Sequence, residues 1–215
     1  MNLSLLFLTL SILAPSALAA TAPFEGAVKA TMEVRGQEIP VQYTIKGHRV
    51  RIDMRFMQQT STVIADVDTQ TQTVLIPRLQ AYAIHHGAAP SNMQPNETPA
   101  ITDMNKTETI AGHVCEDYAI DSAKYSGTLC VAKDIGGDAL GAEMNGPLGS
   151  AMKGLKGIKD PGMPLRLAIK AKTSDAAGQD MTMLVTQVSP GPVSDTQFSV
   201  PPGWREMPSI MPTPR

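Results

Sequence analysis

Apolar and polar residues alternate with a period of two along most of the chain, the spacing of strands that bury one face and wet the other. In "FEGAVKATMEV", Phe24, Gly26, Val28, Ala30, Met32 and Val34 share one face, and Glu25, Lys29, Thr31 and Glu33 the other. Arg35-Gly36-Gln37 turns the chain, and "EIPVQYTIK" places Ile39, Val41, Tyr43 and Ile45 inward. After a second turn at Lys46-Gly47-His48, "RVRIDMRF" sets Val50, Ile52, Met54 and Phe56 against Arg49, Arg51, Asp53 and Arg55. These segments predict an antiparallel meander. "TVIADVD", "QTVLIP", "QAYAIHH", "TETIAGHVCEDYAID", "GTLCVAKD", "PLRLAIKAKT" and "DMTMLVTQVSP" predict further strands. Residues 87–104, rich in proline and polar side chains, predict a long loop or flap. Leu140, Met144, Leu148, Met152 and Leu155 have helical spacing, which predicts one helix over 138–158, weakened by its glycines and Pro147. The fold class is therefore α+β, mostly β: about nine strands in a single antiparallel sheet, curled by strand twist and covered on one face.

The first residues set the compartment. "LLFLTLSILAPSALA" is an apolar run ending in small residues, and Ala17 and Ala19 form the A-x-A pattern of a signal-peptide cleavage site. The run is too short for a spanning helix. Residues 1–19 are thus expected to be removed, leaving 20–204 as one domain and 205–215 as a Pro-rich tail, with the mature protein in the periplasm. No other segment is long and apolar enough to span a membrane as a helix. About 195 residues suffice for one domain with a real core. A net charge of −2 with 18 % charged residues argues against nucleic acid as a partner. Aromatic residues make up 4 % of the chain while it holds 13 methionines, which favours a soft, adaptable interior or groove.

Export makes a disulfide permissible, and the chain has two cysteines, Cys115 and Cys130. If their strands pair about the centre of "DSAKYSG", Cys115 lies opposite Cys130 and Asp117 opposite Thr128. Directly opposed positions bring Cβ atoms close enough for a bridge. No C-x-x-C spacing is present, so a structural staple is expected rather than a redox pair.

Catalytic motifs are missing: there is no G-x-S-x-G, H-E-x-x-H, Walker loop or dinucleotide fingerprint. "DVDTQTQT" lacks the Gly and Glu of a calcium loop. Asn96-Glu97-Thr98 and Asn105-Lys106-Thr107 are glycosylation sequons that matter only in a eukaryotic secretory path. His85, His86 and His113, with Met93 and Met104, form a set whose imidazoles and thioethers suit copper. Neighbouring strand residues point to opposite faces, however, so His85 and His86 cannot easily share an ion. Arg49, Arg51 and Arg55 read as a solvated face, and Trp204 in "VPPGWREM" as a lid over the core edge. No enzymatic activity and no cofactor are expected.

"FEGAVKATM", "YTIKGHRVRIDM" and "VIADVDTQTQTVLIPRLQAYAI", followed by "TETIAGHVCEDYAI", "TLCVAKDIG", "GMPLRLAIK" and "FSVPPGW", resemble an uncharacterised bacterial secreted domain-of-unknown-function family over most of 24–204. That family is similar to the periplasmic lipoprotein-carrier (LolA-like) superfamily. The resemblance implies a half-barrel whose curled sheet wraps helices and whose concave apolar face holds acyl chains. The expected function is a non-enzymatic periplasmic binding module. Its ligand, an acyl chain, a lipid, an apolar peptide or a lipoprotein-like partner, would meet a face lined by Val28, Met32, Val41, Tyr43, Val50, Ile52 and Met54. Copper handling and an envelope assembly role through a sheet edge are the alternatives.

Overall fold

The computed structural model describes residues 23–56, 59–86, 99–136, 162–173 and 180–208. The strands are β1 (Glu25–Val34), β2 (Gln37–Lys46), β3 (Arg49–Phe56), β4 (Gln59–Asp66), β5 (Thr71–Ile76), β6 (Ala81–His86), β7 (Ala100–Ile110), β8 (His113–Asp121), β9 (Tyr125–Gly136), β10 (Gly162–Ala171), β11 (Met181–Pro190) and β12 (Arg205–Glu206). They form one curled, open sheet in the order β12-β6-β5-β4-β3-β2-β1-β11-β10-β9-β8-β7. Every pairing is antiparallel except that of β12 with β6. Helical structure among the described residues is limited to 3-10 turns, at Pro77–Leu79 and Asp195–Phe198. The expected leader, the helix over 138–158 and residues 87–98 of the expected flap lie outside the described residues.

Among the described residues the sheet has twelve strands, not about nine. The segment 107–121 is not one strand, because Ala111 and Gly112 both adopt positive φ, 50° and 88°, and make a two-residue hairpin turn. Arg35 and Gly36, at 54° and 73°, do the same between β1 and β2. Strand β7 also reaches back to Ala100, into residues assigned from sequence to the loop, and β12 falls in the expected tail. Pro164 is tolerated inside β10 because the pairing with β9 shifts register between it and Arg166.

The disulfide between Cys115 and Cys130 is present. Its register differs from the expectation: Asp117, not Cys115, lies opposite Cys130, and Ala119 lies opposite Thr128. The turn explains the slip. Ser122 closes on Tyr125, its hydroxyl accepting the Tyr125 N–H at 3.1 Å and its own N–H donating to the Tyr125 carbonyl at 2.9 Å. This moves the hairpin centre one residue along and shifts the pairing by two. The cysteines become diagonal neighbours with Cα atoms 5.4 Å apart, within bridging range.

Around the disulfide, Arg166 draws four strands together. Its Nε donates to Glu108 on β7 at 2.6 Å, one terminal nitrogen to Asp117 on β8 at 2.7 Å, and the other to Thr128 on β9 at 3.3 Å. Register places Cys130 between Arg166 and Asp117, and Cys115 opposite Glu108, so this fork surrounds the bridge. Arg166→Ala leaves two half-buried carboxylates without their cation. It is expected to lower stability by about 1–3 kcal/mol in urea titration, whereas Lys170→Ala on the same strand changes it by less than about 0.5 kcal/mol.

After β11 the chain crosses the polar face of the sheet. Val193 donates its N–H to Glu25, Asp195 pairs with Lys46 and Arg49, Arg51 reaches the Gln197 carbonyl, and Arg49 stacks over Phe198. The crossing ends where Arg205 and Met207 donate N–H groups to Gln80 and Tyr82. Ile64 and Leu75, on strands between these anchors, are buried on this otherwise polar face. The Arg49 and Lys46 cations hold the Asp195 carboxyl below the usual carboxylate range.

Candidate functional site

Register gathers the apolar residues of many strands onto one face. Val28 lies opposite Tyr43, which lies opposite Ile52; Ala30 lies opposite Val41, which lies opposite Met54. Met32 sits between Ile39 and Met183. The face continues through Leu167 and Ile169 of β10, Leu129 of β9 and Ile120 of β8. Residues of β1–β3 and β7–β11 pack as a single cluster. At its centre the Tyr43 hydroxyl donates to the Met183 sulfur at 3.6 Å, and burial pushes the phenol pKa up to about 12. The phenol therefore stays neutral and adds no charge to the wall.

Each residue proposed from sequence to line this face is on it. Val28, Val41, Tyr43 and Val50 are buried, whereas Met32, Ile52 and Met54 are half-buried. Of the half-buried ones, Met32 and Met54 lie toward one end of the strands, whereas Ile52 lies opposite Tyr43. That end brings together Met32 near the end of β1, Ile39 near the start of β2, Met54 and Phe56 at the end of β3, and Met181 at the start of β11. All but Phe56 are half-buried, and Phe56 is 45 % exposed. The apolar face is thus closed around Tyr43 and open at a rim that includes three methionines. Thioether chains are flexible and polarizable, so they can repack around apolar shapes of different kinds. Ile39, Phe56 and Met181 complete the rim. Alternation marks the first two as inward-facing, but only the pairing of β11 with β1 brings Met181 beside them.

The histidines are dispersed. His85 is buried and His86 exposed, on opposite faces of β6, and His113 is on β8, near the other edge of the sheet order. His113 instead meets Asp134 at 2.8 Å. Met104 is on β7, and Met93 lies outside the described residues. Among the described residues, Glu108, Cys115 and Cys130 do come within ligating distance of one another. The two sulfurs are bonded to each other, so neither offers a thiolate to a metal.

A Tyr118–Glu116–Lys133 cluster on β8 and β9 also has displaced acidities. Glu116 accepts from the Tyr118 hydroxyl at 2.8 Å and pairs with Lys133 at 2.6 Å. Lys133, then Tyr118, hold its carboxyl below the usual range. Burial, then the hydrogen bond to Glu116, pushes the Tyr118 phenol up, and Glu116 likewise raises the Lys133 amine. Each shift favours the state already present at neutral pH, so none of the three groups is poised to exchange a proton. Arg49 and Arg51, read from sequence as a solvated stripe, hold the crossing segment. Trp204 is half-buried where that segment ends.

Residues 24–204 match the sequence family described as Domain of unknown function (DUF4412). The chain belongs to that family. No curated protein matches the sequence. An uncharacterized conserved protein from Thermus thermophilus has a similar fold, with a TM-score of 0.52 at 9 % identity, covering 86 % of this chain and 91 % of that one. PNGF-II aligns with a TM-score of 0.48 at 8 % identity, covering 85 % of this chain and 30 % of its own. MucB, solved in complex with MucA(peri), aligns with a TM-score of 0.46 at 13 % identity, covering 80 % of this chain and 52 % of its own. The DUF4412 match includes both the apolar face and the crossing segment up to Trp204. No helix among the described residues is long and apolar enough to cross a membrane.

Proposed function

We propose that this DUF4412 protein is a non-enzymatic binding module of the periplasm, released from a cleaved leader and related to the LolA-like half-barrels. It holds an apolar ligand, an acyl chain or an apolar peptide segment, against the apolar face of its curled sheet. The observation that carries this reading is the gradient on that face, from residues sealed around Tyr43 to the half-exposed rim of Met32, Ile39, Met54, Phe56 and Met181. Apolar side chains left open to water at the mouth of a larger apolar surface gain free energy when a ligand covers them, at about 25 cal/mol per Å² of apolar area removed from water.

The test is a titration of the purified protein with the apolar fluorophore 1-N-phenylnaphthylamine. A saturable rise in fluorescence that decanol displaces is expected. A signal that grows linearly without saturation, or that decanol leaves unchanged, ends the proposal.

A further inference from the structure

The ladder between β2 and β3 runs from Lys46/Arg49 to Val41/Met54 and stops there, although β2 begins at Gln37 and β3 continues to Phe56. Pro40, next to the last pair, has no N–H with which to extend it. β2 keeps β1 as a neighbour, with Thr31 opposite Pro40, and β3 keeps β4, with Arg55 opposite Thr60. The two strands therefore part company, and a cavity of about 320 Å³ lies along the split.

Its lining is asymmetric in charge. Lys29 and Arg55 flank it from β1 and β3, both exposed, and neither side chain has an ion pair or hydrogen bond among the described residues. Two strand spacings, roughly 10 Å, separate them across the sheet, and Arg55 lies two residues, roughly 7 Å, further along, because Lys29 is level with Gln42 and Asp53. The lining carboxylate is Asp53, and it is already engaged: Arg51 grips it with two nitrogens at 2.8 and 3.0 Å, and Thr62 donates at 2.6 Å. Thr31, Thr60 and Thr186 add hydroxyls and Gln42 an amide, and Val41 and Met54 of the apolar face also line it. Two cations without partners among the described residues, beside hydroxyl donors and a neutralised acid, leave the cavity with excess positive charge. An arginine fork and an ammonium suit an oxyanion through charge-assisted hydrogen bonds.

We propose that this split is a binding site for an oxyanion, a phosphate or a carboxylate. The anion is either small and free or the head of an amphiphile whose chain runs past Met54 to the apolar face. The amphiphile source rests on the proposed function above; the free-anion source does not.

Calorimetric titrations at low ionic strength with inorganic phosphate, decyl phosphate and decanol test it on the purified wild-type protein, on Lys29→Gln/Arg55→Gln, and on Lys170→Gln, an exposed cation of β10. Wild type and Lys170→Gln are expected to bind at least one of the phosphate probes alike, and the double variant to bind it at least about tenfold more weakly. Binding of inorganic phosphate supports a small-anion site, and decyl phosphate binding about tenfold tighter than decanol supports a head-group site. Undiminished phosphate affinity in the double variant, or no phosphate binding to wild type, overturns the site. Decanol binding with no gain from the phosphate head sinks the anion site and leaves the apolar face standing. Phosphate binding without decanol binding does the reverse.

Discussion

Replacing Cys115 and Cys130 together by alanine is expected to lower stability by about 3 kcal/mol and the melting temperature by roughly 10 °C. The bridge closes a loop with a sequence separation of 15 between two paired strands, and freeing that loop widens the unfolded ensemble. Both sulfurs are fully buried, so their loss also removes packing from the cluster. The Arg166 fork then has to hold β7, β8 and β10 together without the bridge beneath it. Thermal melts of the double variant and of wild type in strong reductant check this, and the two are expected to agree. A double variant that melts within about 2 °C of wild type contradicts the staple.

A second large effect is expected at the open end of the apolar face. Met32→Lys combined with Met54→Lys places two ammonium groups where an apolar ligand would lie. If each charge costs the ligand about 1.4 kcal/mol, fluorophore affinity falls roughly 100-fold. The melting temperature should move by only a few degrees, because both positions are half-exposed and a lysine stem can run along apolar surface while its charge reaches water. Leu184→Lys makes the same kind of change on the polar face, where Leu184 is 44 % exposed, and is expected to leave affinity unaltered. Equal losses in both variants would point to a general charge effect and not to a site.

The apolar face was legible in the sequence because the period-two pattern of β1–β3 fixes which side of each strand is greasy. That pattern cannot say which strands are neighbours. Met181 joins Met32 only through the pairing of β11 with β1, and Arg166 reaches Glu108 and Asp117 across 58 and 49 residues of chain. Turn chemistry decided the rest. The positive φ of Ala111 and Gly112 divided one apparent strand in two, and Ser122 closing on Tyr125 moved the cysteine register by two. The split beside Pro40 depends on where a ladder stops, and no local pattern marks that point.

The most direct test of the apolar-face account is a methyl NMR spectrum of the protein labelled at its methionines, recorded as decanol is added. Signals of Met32, Met54 and Met181 should shift together and saturate, while Met207, outside that face, stays in place. Saturation with those three signals unmoved, or with movement confined to Met207 and other methionines away from the rim, would contradict it.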